Sequence, residues 1–289
     1  MKWRGRRTSG NVEDRRSMRG AGVAGGGIGT LIVIGLMLWM SGGDPQILVD
    51  SGVLEQGGLT PGGGGDRPIS AEEQQQAEFI KVVLADTEDV WNALFQQQGE
   101  DYAEPKLILF SGRVQSACGT ASAAVGPFYC PADQDVYLDL QFFDELHRRF
   151  GAAGDFAQAY VVAHEVGHHV QKLTGYSDRV TQEQQRASQV EANNLSVRLE
   201  LQADYLAGVW AHHIERTKNV LEPDDIEEAL GAANAIGDDR LQMEAQGTVV
   251  PDSFTHGTSE QRLRWFKRGF ETGDFAGADQ AFSVAYESL

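Results

Sequence analysis

Two histidines four residues apart, with a glutamate beside the first, make His164-Glu165-Val166-Gly167-His168 the stretch of this chain best suited to chemistry. On a helix, positions i and i+4 lie one above the other on the same face. His164 and His168 can therefore present two imidazole nitrogens to one tetrahedral zinc ion. Glu165 lies one residue round from His164. From there its carboxylate can reach a metal-bound water without being a ligand, and it can act as general base. A third ligand has a matching place further on. Glu200 follows His168 by 32 residues, in Leu199-Glu200-Leu201-Gln202-Ala203-Asp204. That distance lets the first helix end, turn and be met by an antiparallel partner whose carboxylate completes the ligand set, leaving a fourth position for water. Asp204, one turn after Glu200, is placed to accept the other ring N–H of a ligating histidine and fix its tautomer. His256, in the loop Phe254-Thr255-His256-Gly257-Thr258, is a candidate donor to the oxyanion of a tetrahedral intermediate. The expected cofactor is one Zn2+ per chain. His212 and His213 lie further along the second helix. His169 points about 100° away from His168 and reads as a packing residue or as a support behind the ligands.

These residues need helices to position them. Phe156–Val162 and Val170–Leu173 flank the histidines with apolar residues, so the motif belongs to a core helix, where ionisable groups are costly unless paired or ligated. Gly151 and Gly154 break the chain before it, and Asp155 can cap it. Gly167 gains a helix nothing; close approach of another backbone or a substrate would explain it. A long helix over about Gln182 to Arg216 carries Glu200 and Asp204, with an apolar stripe through Leu195, Leu199, Leu206 and Ile214. Upstream, Ser70 with Glu73 forms a capping box, opening an amphipathic helix to about Gln97. Lys106–Phe110 reads as a short strand, and Asp135–Leu140 alternates at period two as a second. Phe142–Phe150 is a short helix. Downstream, a helix runs from Pro223-Asp224-Asp225 to about Gln246, Thr258 or Ser259 caps another, and Phe275–Tyr286 forms a last short one.

Charge divides the chain. The net charge is −18, yet residues 1–20 hold seven Lys/Arg against Glu13 and Asp14, a net +5, which leaves −23 on the rest. A body that acidic repels nucleic acid, and no nucleic-acid partner is expected. Residues 21–40 carry no charge, and twenty helical residues span about 30 Å, one hydrocarbon thickness. Positive charge before this stretch predicts a retained single-pass anchor with a cytoplasmic N-terminus and an extracytoplasmic body. Residues 41–69 hold nine Gly with Pro45, Pro61 and Pro68, the composition of a flexible tether. The division expected is thus a basic cytoplasmic tail (1–20), a transmembrane helix (21–40), a Gly/Pro-rich linker (41–68) and a folded domain carrying the zinc motif (69–289). Cys118 and Cys130 both fall in the exported part, where an even count predicts a disulfide.

As a set, HEVGHH, LELQAD and FTHGTSEQR, preceded by GPFYCPADQDVYLDL, resemble the bacterial neutral zinc metallopeptidase family of single-span membrane proteins. The resemblance covers nearly the whole chain. It implies an α+β, mostly helical, compact gluzincin-like core with a small β-hairpin or sheet. It also implies His164, His168 and Glu200 as ligands and Glu165 as base. In related membrane gluzincins a His followed six residues later by an Arg lies near the substrate carbonyl, which implies roles for His256 and Arg262. Those relatives usually have Pro after this His, where this chain has Gly257. The strand Asp135–Leu140 is a candidate edge for pairing with an extended peptide. The function expected is a membrane-anchored zinc-dependent endopeptidase of the bacterial inner membrane, acting on peptides or unfolded proteins of the envelope. The alternative is a non-catalytic zinc-binding scaffold of the envelope, against which Glu165 counts, because a binding module has no use for it.

Overall fold

The computed structural model describes residues 1–17, 68–122, 126–150 and 154–289. The first long helix, α1 (Ala71–Gln97), begins where Ser70 and Glu73 exchange both hydrogen bonds of a capping box. Its inward face buries Phe79, Ile80, Val83, Trp91 and Leu94. The strands that follow are β2 (Leu107–Phe110), β3 (Arg113–Ser116), β4 (Gly119–Ser122), β5 (Phe128–Cys130) and β6 (Asp135–Asp139). β3 and β4 form a hairpin of their own. The main sheet has the order β1-β2-β6-β5, where β1 is Val12–Asp14 near the N-terminus. β1 and β2 run parallel, as do β2 and β6, while β5 pairs antiparallel to β6. β6 is therefore interior. The edge beside the helices is β5, so Asp135–Leu140 cannot be the strand that receives a peptide: both its flanks are already hydrogen-bonded. Cys118, at the tip of the β3–β4 hairpin, is joined by a disulfide to Cys130 at the end of β5.

After α2 (Gln141–Phe150) comes α3 (Asp155–Leu173), the helix of the histidine motif. Gly154, not Asp155, occupies its N-cap position, with φ 113°. The long helix expected from about Gln182 is two helices, α4 (Tyr176–Gln184) and α5 (Gln189–Lys218). A second capping box, Ser188 with Glu191, starts α5 afresh. The helix expected up to Gln246 is likewise broken, into α6 (Asp225–Ala235) and α7 (Asp238–Gln246). α8 (Ser259–Thr272) opens with Thr258 and Gln261 in a third capping box. Short 3-10 turns and the single-turn α9 (Gln280–Ser283) finish the chain. The result is a mostly helical α+β fold with a small sheet. Its core is built on Trp91, Phe156, Tyr160, Tyr205, Trp210 and Phe266, all fully buried.

The crossing of α5 and α8 is backbone against backbone. A Cβ on Gly208 would sit 2.1 Å from the carbonyl oxygen of Phe266, and one on Gly269 would sit 2.0 Å from that of Tyr205. Neither neighbour is a side chain that can swing away. Gly208→Ala is expected to cost about 1–3 kcal/mol despite the better helix propensity of alanine, because the two helices must part. Urea unfolding of the variant against the parent checks this; an unchanged midpoint would show that the crossing is looser than described.

Residues 1–15 belong to the same compact unit as residues 69–289. The separate basic tail expected at the N-terminus is, over those residues, part of the folded body. Its main-chain pairing in β1 is non-local and leaves no periodic trace in three residues. The Met1 amino group lies 2.7 Å from Asp155 and 3.1 Å from Asp225, at the first turns of α3 and α6. Among the described residues no helix is long and apolar enough to cross a membrane. The span expected at residues 21–40 lies outside the described residues, as do residues 41–67 of the linker.

Candidate metal centre

α3 carries His164 and His168 on its inner face, and α5 packs across it carrying Glu200. The Nε2 of His164 lies 3.2 Å from Glu200 Oε2, and the Nε2 of His168 lies 3.4 Å from Glu200 Oε1. One nitrogen from each histidine and one carboxylate oxygen all fall within 4.8 Å of one another. Gly167 permits this approach: a Cβ there would meet the Ala203 carbonyl oxygen at 3.0 Å and its Cα at 3.2 Å. The close backbone that Gly167 announces is that of α5, the helix carrying Glu200.

The other nitrogen of each histidine is engaged behind the cluster. His164 Nδ1 lies 2.8 Å from Asp204 Oδ1. His168 Nδ1 lies 2.8 Å from Gln171 Oε1. Both partners accept hydrogen bonds, so each ring carries a proton on Nδ1 and directs its Nε2 toward Glu200. Gln171 is itself fixed, donating from Nε2 to Leu199 O at 2.6 Å and to Gln202 Oε1 at 3.0 Å. Asp204 is fully buried and gripped on both oxygens: Arg262 Nε donates to Oδ2 at 2.8 Å and Arg262 Nη2 to Oδ1 at 3.0 Å. Tyr160 donates its hydroxyl to the same Oδ1. Burial alone would raise the pKa of Asp204; the Arg262 guanidinium and His164 outweigh it and hold the group at about 2.

The donor set suits zinc: two imidazole nitrogens, each ring oriented through its Nδ1, and one carboxylate, on two rigid helices. These residues line a cleft of about 570 Å³ together with Glu165, His256 and Arg262. Phe128, Tyr129, Pro131, Phe142, Val161, Leu199, Ile236 and Leu241 make much of its wall apolar. Glu165 is nearly buried, next to His164 on α3. His256 is half exposed, at 51 % of its side-chain surface. Its main-chain N–H donates to Asp238 Oδ2 at 2.6 Å, and its Nδ1 lies 3.1 Å from Asp238 Oδ1. That carboxylate raises the pKa of His256, favouring the form that carries a proton on both nitrogens.

His169 turns away from the centre. It is buried, donates from Nε2 to Ala103 O at 2.6 Å, and presents Nδ1 to the Tyr129 hydroxyl at 3.2 Å, tying α3 to β5. Burial lowers its pKa and keeps it neutral. His212 and His213 also lie elsewhere, bonding to the carbonyls of Phe270 and Gly273 at the end of α8. Three contributors were not read from sequence: Gln171, Tyr160 and Asp238. Gln171 left a signal, its i+3 offset from His168 on one helix face. Tyr160 lies at i−4 from His164, but tyrosine in a core helix looks like packing. Asp238 comes from another helix and leaves none.

Gln171→Leu is expected to weaken zinc binding about 10- to 100-fold, because His168 loses the acceptor that fixes its tautomer and orientation. Competition titration against a chelator measures it. Parent-like affinity would show that Gln171 does not set the ligand.

A family model described as "Putative neutral zinc metallopeptidase" matches residues 1–281. The uncharacterized protein YpfJ of Escherichia coli K12 is 51% identical over 283 residues, which cover 95% of this chain and 96% of that protein. The uncharacterized protein Rv2575 of Mycobacterium tuberculosis H37Rv is 44% identical over 206 residues, covering 68% of this chain and 69% of that protein. No solved structure gives a significant match.

Proposed function

The chain belongs to the neutral zinc metallopeptidase family, and from that membership and the geometry of its cleft we propose that it is a zinc-dependent endopeptidase that cuts extended segments of peptides or unfolded proteins. The observation that carries this reading is the convergence of His164, His168 and Glu200 in one cleft with Glu165 beside them. His164, His168 and Glu200 would hold the zinc, which when bound would supply a Lewis acid for a carbonyl and a water. Glu165 takes a proton from the attacking water and passes it to the leaving amine. His256, held by Asp238 and favoured in its protonated form, donates to the developing oxyanion. Asp204 and Gln171 keep the two ligating rings in place, and Arg262 holds Asp204. The apolar wall of the cleft excludes water and favours apolar side chains next to the scissile bond.

The substrate strand docks along β5, the sheet edge that lines the cleft through Phe128 and Tyr129. The disulfide at the end of β5 braces that edge and points to an oxidising compartment, hence to substrates of the cell envelope. The test uses the full-length, zinc-loaded protein and an unfolded protein substrate, with cleavage sites mapped by mass spectrometry. Internal cuts flanked by an apolar residue are expected. Stoichiometric zinc with no hydrolysis of any unfolded protein or peptide would overturn the peptidase reading.

A further inference from the structure

The acidic body has buried carboxylates that need partners, and the first residues of the chain provide them. Asp86 and Glu88 on α1 are 1 % and 3 % exposed. Uncompensated charges at such depth are costly. Arg6 pairs with Asp86, beside Lys218 at 2.9 Å. Glu88 is met by Arg7 Nη1 at 2.7 Å, by Asn11 Nδ2 at 3.0 Å and by the Ser9 hydroxyl. The main chain is fastened as well. Val12, Glu13 and Asp14 lie in parallel register with Leu107, Ile108 and Leu109. Arg15 N donates to Leu109 O and Lys2 N to Val220 O, both at 2.8 Å, and Ser9 N to Lys81 O at 2.9 Å. Trp3 packs edge-on against Phe79. Residues 1–15 are thus as much part of the fold as any strand in it.

This arrangement conflicts with reading residues 21–40 as a single span. Paired strands lie about 4.8 Å apart, whereas one crossing between residue 15 and residue 69 would put about 30 Å of hydrocarbon between β1 and β2. The positive-inside rule concerns Lys and Arg that are free to stay in the cytoplasm. Here Arg6 and Arg7 are already engaged by carboxylates of the body. We propose that residues 1–15 and residues 69–289 lie on the same side of the membrane, joined in one sheet. The basic segment is then an intramolecular partner of the acidic body, not a cytoplasmic tail.

The test places one added cysteine in each part of the full-length protein in cells. Thr8→Cys and Lys267→Cys both fall at exposed positions. Cys118 and Cys130 are paired with each other, and the parent chain serves as the blank. A membrane-impermeant maleimide is applied before and after the membrane is opened. The proposal expects the two positions to behave alike, both reacting before opening or both only after it. One reacting before and the other only after would overturn it. Gly10→Cys, whose Cβ meets nothing within 4 Å, repeats the N-terminal reading at an independent position.

Discussion

Glu165→Gln is expected to lower peptide hydrolysis by roughly 10²- to 10⁴-fold with zinc still bound, the usual contribution of a positioned general base. Gln preserves the shape of the side chain but has no basic oxygen, so the water proton has no acceptor. Glu165 is not among the atoms that converge as ligands, which come from His164, His168 and Glu200. Zinc content should therefore stay at one per chain, and Glu200→Gln gives the contrast by weakening the metal as well as the rate. The measurement is initial rate on an unfolded protein, with metal content determined on the same samples. Activity retained in Glu165→Gln would remove Glu165 from the mechanism, and zinc lost from it would mean that the residue is needed to hold the metal.

Asp204→Ala should be the most damaging single change to the fold near the centre. Asp204 and Arg262 are both at the limit of burial, 0 % and 2 % exposed. Removing the carboxylate strands the guanidinium in the core and leaves the Tyr160 hydroxyl without its acceptor. Breaking a buried pair from one side costs about 3–5 kcal/mol. His164 loses its Nδ1 acceptor in the same stroke, so zinc affinity falls with stability. Denaturant unfolding and zinc titration measure the two effects separately. A variant with parent-like stability would show that Arg262 finds another partner. The same pair gives an acid dependence. The folded pKa of Asp204, about 2, lies below the ordinary carboxylate value. Its contribution is therefore full above about pH 4 and is lost as pH falls through 2, worth about 2–3 kcal/mol over that window.

Much of the centre is local geometry, and local geometry can be read along a chain. The i, i+4 spacing of His164 and His168, and of Glu200 and Asp204, predicts shared helix faces without any knowledge of the fold. The capping boxes at Ser70 and Thr258 fix where helices begin. The break before α5 was legible in the same way, as Ser188-x-x-Glu191, but no Pro or Gly marks it between Tyr176 and Ala207. Other features depend on segments distant in sequence. That β5 and not β6 is the edge depends on β2 pairing with the far side of β6. Arg262 faces Asp204 only because α8 crosses α5 at two glycines.

The sequence by itself determined the candidate centre of this protein: two imidazoles, the Glu200 carboxylate as third candidate ligand and Glu165 as candidate base, each specified by residue type and helical spacing. Tertiary structure alone decided what surrounds them. It settled which acceptors hold the histidines, which strand borders the cleft, and that the first 15 residues fold into the body. The physical reason is the same in each case. A hydrogen bond or ion pair between segments far apart in the chain imposes no periodicity on either one, so it becomes visible only when packing brings the two together.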